Sequence, residues 1–162
     1  MSVTKRLKDY LDENNVEYEV IAHPPTLSAP ATAEALHVSG KTVAKVVMIK
    51  DGPADVMTVL PASLKVDVLR IQEVLGHRWN HRIRLATESE FANLFPDCEV
   101  GMMPPFGNLY GLDVLVDSSL TEDDEIVFPA GNSRESIRMR YDDYERLVVP
   151  RVVDFGSSVL GR

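Results

Sequence analysis

Residues 40–52 read "GKTVAKVVMIKDG". Val43, Ala44, Val46, Val47, Met48 and Ile49 form an apolar, β-branched run, which predicts a strand. Asp51-Gly52 is a turn pair, and "ADVMTVL" at 54–60 is a second apolar run beyond it, so the two predict a β-hairpin. Lys45 interrupts the first run. With an alternation of two it shares a face with Val43, Val47 and Ile49. An ammonium on that face must reach water along its stem, find a partner, or line a cavity. The pattern leaves the three open.

On the N-terminal side of the hairpin, 3–14 has a helical stripe of Val3, Leu7, Tyr10 and Leu11. Tyr18 to Ile21 predicts a short strand. "HPPTLSAP" (23–30) predicts a loop because of Pro24, Pro25 and Pro30, with a short helix from Thr32 to His37 and a break at Gly40. On the C-terminal side, Pro61 stops the second strand. "VDVLRIQEVLG" (66–76) predicts a helix with Val68, Leu69, Ile71 and Leu75 inward and Gly76 as its cap. "RIRLA" (82–86) is a strand, and Thr87 and Glu90 have capping-box spacing at the start of a helix that Pro96 ends. After a Gly- and Pro-rich loop at 100–111 come strands in "LDVLVD", "IVF" and "SIRMR", and a helix over "YDDYERLV". Residues 151–162 are left as a tail. No repeat or linker divides the chain. The expectation is one α/β domain over 1–162 with a mixed sheet and a core of about 16–150.

The 162 residues suffice for such a core, and 44% hydrophobic with 26% charged residues is ordinary for a globular protein. The apolar runs are too short for a bilayer-crossing helix, and "MSVTKRLKDYL" lacks the apolar stretch of a secretory signal. A single cysteine, Cys98, excludes an internal disulfide and fits a reducing, cytoplasmic setting. A net charge of −8 argues against charge-driven binding of DNA or bulk RNA. The exception is "HRWNHRIR" (77–84), which carries Arg78, Trp79, Arg82 and Arg84 without an acid. A nucleic-acid partner would meet that segment first.

Chemistry-bearing patterns are sparse. His77 and His81 have the spacing of two metal ligands but follow a helix cap and lack a third ligand nearby in sequence, so no metal is expected. Cys98 stands between acids that disfavour a thiolate, and is read as structural. There is no nucleophile elbow, Walker loop or dinucleotide fingerprint, and no cofactor is called for. Asp123-Asp124 and Asp142-Asp143 read as turn and helix-start charges. What remains is Lys45 and "GMMPPFG" (101–107). In that loop Gly101 and Gly107 expose backbone, and Pro104 and Pro105 stiffen it. It is either a plain turn or a rim that holds a small ligand by main-chain contacts.

"VAKVVMI", "LPASLKVDVLRI", "CEVGMMPPFG", "LDVLVDSSL", "FPAGNSRESIRM" and "YDDYERL", in that order, resemble the YbaK/ProX family over about His23 to Pro150. The resemblance implies a compact α/β domain with a twisted, barrel-like mixed sheet flanked by helices. It implies hydrolysis of the ester joining a wrong, small amino acid (alanine, cysteine, serine or threonine) to the tRNA 3′ end. The partner is then the acceptor end of aminoacyl-tRNA, with an aminoacyl-tRNA synthetase as a further partner. Lys45 matches the family's required lysine, and Gly101 and Pro105 match its glycine–proline loop. Met102, Met103, Phe106 and Thr26 are candidate pocket walls, with Gly107, Gly131 and Ser136 beside them. An activated ester needs its carbonyl charge stabilised more than it needs a strong nucleophile, which fits the lack of one. Two departures, Val46 after the lysine and Ser136 near the "PAG" of 129–131, motivate a rival reading: a catalytically inactive module that binds aminoacyl-tRNA or a small ligand. A general nucleic-acid binder, motivated by 77–84 alone, is opposed by the charge.

Overall fold

The computed structural model describes residues 3–76 and 82–158. Its centre is the expected hairpin. Strands β2 (Ala44–Asp51) and β3 (Ala54–Pro61) pair antiparallel from Ala44↔Pro61 to Asp51↔Ala54, so Gly52 and Pro53 make the turn. Strand β5 (Ile83–Leu85) pairs antiparallel with the far end of β2, at Ile49–Asp51. On the other side β6 (Asp113–Asp117) joins β3 and β9 (Arg151–Val153) joins β6, both parallel. The order is β5-β2-β3-β6-β9.

Both faces of this sheet are covered, and alternation sorts the side chains. Ala44, Met48, Met57, Val59, Val114 and Val116 enter the main core. There they meet Leu7 and Leu11 of α1 (Lys5–Glu13), and Tyr141, Tyr144 and Val148 of α5 (Tyr141–Val148). Ile49, Val56, Leu60 and Leu115 face the other way, onto Ile71, Val153 and Phe155. Ile71 comes from α3 (Val68–Ile71), whose N-cap Asp67 accepts from the amides of Leu69 and Arg70. Two-sided burial is what near-continuous apolar strands call for.

A second sheet is antiparallel, in the order β1-β8-β7: β1 (Tyr18–Ala22), β8 (Glu135–Arg140), β7 (Glu125–Pro129). It meets the first through a single parallel bridge, Val43↔Val127. Helix α2 (Ala29–Ala35) sits over that junction, its Ala33 packed with Val43, Ala62 and Val127. A third ladder pairs β4 (Leu64–Val66) with β10 (Gly156–Ser158). The mixed α/β architecture is as expected, but the described strands do not close into a barrel: they fall into three sheets.

Other differences have local causes. Helix α2 starts at Ala29, ahead of the expected Thr32, because Pro30 occupies the first turn, where its missing N–H costs nothing. Leu69, expected inward, is 75% exposed, because α3 lasts one turn and gives way to a π-helical turn over Gln72–Gly76. Residues 151–158, read as a tail, are tied down by Asp117. Its carboxylate is 2% exposed and accepts from the amides of Phe155 (2.9 Å) and Gly156 (2.6 Å). The capping box is present, with the Thr87 amide donating to Glu90 at 2.8 Å at the start of α4 (Glu88–Phe91).

Candidate active site

Lys45 sits where the two sheets part. Val43, two residues before it, packs in the small cluster under α2, while Val47 and Ile49 pack behind the main sheet. The Lys45 side chain is left in the gap between these clusters, half-buried. It lines a cavity of about 140 Å³ together with Ser28, Ala29, Thr32, Val46, Gly101, Met102 and Pro129. Burial lowers its pKa from the ordinary 10.5, and among the described residues no carboxylate counters that effect. A lysine five residues on shows the contrast: Lys50 donates to Asp55 at 2.9 Å.

Each wall has a local reason to be there. The Ser28 hydroxyl accepts from the Ala31 amide at 3.2 Å and so starts α2 at the cavity edge. Thr26 lies one layer behind: its hydroxyl meets that of Thr32 at 2.7 Å, and its amide donates to the Ser133 carbonyl. Gly101 has φ +85°, and a Cβ there would meet nothing within 4 Å, so backbone conformation selects glycine at this point. The amide of Gly131 donates to the Met102 carbonyl at 2.9 Å, and the Glu99 amide donates to the Gly131 carbonyl at 2.8 Å. This double link holds the cavity loop against the end of β7.

Of the residues singled out from sequence, Lys45, Gly101 and Met102 are brought together at the cavity. Thr26 and Gly131 support it from behind. Met103 and Phe106, expected as walls, lie in the main core at 2% and 0% exposure. Pro105 contributes its carbonyl, which accepts from the Tyr144 hydroxyl at 2.7 Å. Gly107 is packed against Val114 and opens a short 3₁₀ turn, Gly107–Tyr110. Ser136 is buried, and its hydroxyl lies 2.9 Å from His23 Nε2. His23 Nδ1 faces the Pro24 carbonyl at 2.9 Å, so Nδ1 donates there, and in the neutral ring Nε2 accepts from Ser136. Sequence reasoning missed Ser28, Ala29, Thr32 and Pro129. The string "SAPAT", a capping serine followed by a first-turn proline, signals the start of α2 but not its place beside Lys45.

The expected RNA-facing residues fare differently. Arg84 makes a two-pronged ion pair with Glu90 at 2.8 and 2.6 Å, which pulls the Glu90 carboxyl down to about 2. Its fork is engaged by a carboxylate in an exposed ion pair. Arg82 is exposed. Arg78, Trp79, His77 and His81 lie outside the described residues. Cys98 is half-buried beside Asp97 and Tyr110, and burial pushes its thiol up to about 11, in keeping with a structural role.

A half-buried ammonium in a small cavity rimmed by backbone can attract a phosphate or a developing oxyanion more strongly than it could in water. At about 30 Å³ per water in the liquid, the cavity holds a few waters or one small aminoacyl group. Comparison with known proteins agrees in kind. A family model described as the aminoacyl-tRNA editing domain matches residues 23–147. The multifunctional Ser/Thr-tRNA deacylase ProXp-y of Escherichia coli K12 is 29% identical over 160 residues, covering 95% of this chain and 93% of that protein. Its counterpart in Escherichia coli O157:H7 matches equally. Among solved structures, hypothetical protein APE2540 superposes with a TM-score of 0.84 at 17% identity, covering 94% of this chain and all (100%) of that one. A candidate trans-editing enzyme for prolyl tRNA synthetase superposes with a TM-score of 0.80 at 19% identity, covering 97% of this chain and 100% of that one. With the family model spanning most of its length, the chain belongs to the aminoacyl-tRNA editing domain family.

Proposed function

We propose that this protein is a trans-acting aminoacyl-tRNA deacylase that hydrolyses the ester of a small, wrongly attached amino acid, with serine and threonine as the first candidates. The observation that carries the reading is the half-buried Lys45, without a carboxylate partner among the described residues, in a cavity of about 140 Å³. The likeness to a Ser/Thr-tRNA deacylase over 95% of the chain supports it.

In this mechanism the terminal adenosine places its aminoacyl ester at the cavity mouth. The Lys45 ammonium neutralises charge, either on the ester oxygen as it becomes an oxyanion or on the neighbouring phosphate. Backbone around Gly101 and Met102 limits the size of the side chain admitted. Water attacks the carbonyl carbon, the C–O bond to the ribose breaks, and the ribose oxygen takes up a proton as the free amino acid leaves. The ester is activated already, so charge stabilisation and placement supply the acceleration. Steric exclusion rejects larger side chains well and smaller ones poorly, because one methylene is worth only about 1–3 kcal/mol. A net charge of −8 favours a small RNA footprint, limited to the acceptor end, or presentation of the substrate by an aminoacyl-tRNA synthetase. Among the described residues no helix is long and apolar enough to cross a membrane. An aminoacyl-tRNA substrate would place the site of action in the cytosol.

The test is a deacylation panel of alanyl, cysteinyl, seryl and threonyl esters on several tRNAs. Release of at least one small amino acid above the spontaneous rate is expected. No release from any of them overturns the reading.

A further inference from the structure

The cavity loop contains two consecutive prolines, Pro104 and Pro105, which have no amide hydrogens to anchor it. Its N-terminal half is fixed by the reciprocal links of Glu99 and Met102 with Gly131. Its C-terminal half must be held through carbonyls and side chains. The Tyr144 hydroxyl donates to the Pro105 carbonyl at 2.7 Å, and both this oxygen's partner and the Phe106 ring are 0% exposed. Tyr144 also packs edge-to-face on Phe106, with centroids 5.3 Å apart at 89°, and Phe106 in turn meets Phe128 at 5.6 Å and Tyr10 at 6.3 Å.

We propose that Tyr144 is a positioning residue for the cavity: by holding the Pro105 carbonyl it sets where Gly101 and Met102 stand opposite Lys45, and hence which aminoacyl group fits. The proposal rests on the ester occupying the Lys45 cavity. Without the hydroxyl, the Pro105 carbonyl has lost a buried donor and turns to seek another, which carries the loop with it. The ring contacts alone keep Phe106 in the core but leave the carbonyl's direction unset. Tyr144 does not touch the cavity, so it acts through the loop.

The same helix supplies a matched control. Tyr141, a buried residue, donates its hydroxyl to Glu145 at 2.9 Å within α5, and among the described residues it has no hydrogen bond to the loop. Tyr144→Phe and Tyr141→Phe thus remove equivalent atoms from one helix, and only the first should reach the cavity. The experiment compares wild type and both variants in full-length protein by two readouts. The first is amide hydrogen exchange at Gly101–Met103 and Phe106–Gly107. The second is the kinetics of deacylation of seryl-, threonyl- and valyl-tRNA. For Tyr144→Phe, exchange in the loop is expected to accelerate about tenfold, the cost of one buried hydrogen bond. Its kcat is expected to fall by about tenfold or more with KM little changed, as for a misplaced catalytic wall. Discrimination between seryl and valyl esters narrows. Tyr141→Phe should behave as wild type in both readouts. If the two variants match each other in exchange and in discrimination, the proposal is overturned. If wild type deacylates nothing, the deacylase reading fails, and the exchange comparison still decides whether Tyr144 holds the loop.

Discussion

Lys45 and Lys50 rise from the same strand and differ in what meets them. The Lys50 ammonium donates to the Asp55 carboxylate at 2.9 Å, whereas Lys45 feels burial with no carboxylate among the described residues to offset it, and its pKa is lowered. A structural lysine on a strand looks like Lys50: its charge is neutralised across the hairpin. Lys45 keeps a charge that burial disfavours, at a place where a ligand could neutralise it.

Replacement of Lys45 by Met should therefore separate stability from activity. The folded state no longer holds a half-buried charge, so the urea midpoint is expected to rise. Deacylation is expected to fall by at least about 100-fold, the loss typical of one oxyanion-stabilising donor. A lower midpoint would show that the ammonium is a structural contact.

The pH dependence follows with a definite sign. The folded-state pKa of Lys45 lies below its ordinary 10.5, so between the two values the unfolded chain binds more protons and stability from this group rises with pH. Over the same window the ammonium is lost from the cavity. Activity, corrected for spontaneous ester hydrolysis, should have an alkaline limb below pH 10.5, and Lys45→Met should lack it. Enzyme-dependent turnover that stays level through pH 10.5 would remove Lys45 from the chemistry.

Gly131 ties the cavity loop to β7 with φ +101°, and a Cβ there would lie 2.3 Å from Thr4 Cγ2. Gly131→Ala should cost about 1–3 kcal/mol in backbone strain alone, with further loss from the clash. Urea unfolding measures it. A change below about 0.5 kcal/mol, the range of an ordinary surface substitution, would mean that the turn relaxes freely.

Asp117 anchors the C-terminal strands. Its carboxylate accepts from the amides of Phe155, Gly156 and Ser119 and from the Ser119 hydroxyl. Asp117→Ala should cost about 3 kcal/mol or more, since it orphans several charge-assisted bonds at once. Proteolysis should then cut within 151–158, where wild type is expected to resist. Equal resistance in the variant would show that strand pairing alone holds it.

The hairpin, the lysine that breaks its apolar face, and the helices at both ends of the core were legible because each rests on neighbouring residues: alternation, a turn pair, an amphipathic stripe. What depended on distant partners was not. No local signal says that Asp117 reaches the amides of Phe155 and Gly156, so β9 and β10 read as a tail. Leu69 has the spacing of an inward residue, but the helix changes its winding one turn later and leaves it outside. Met103 and Phe106 could be read as cavity walls or core from the same letters, and tertiary packing places them in the core. Lys45 could be found by its misfit. Ser28, Thr32 and Pro129 could not, because their nearness to it comes from the way α2 and β7 meet at the Val43↔Val127 bridge.

The most direct test is the rate at which purified protein releases serine and threonine from mischarged tRNA, for wild type against Lys45→Ala. Wild type should release at least one of them well above the spontaneous rate, with Lys45→Ala at that rate. Equal release by both proteins would contradict the central role given to the ammonium.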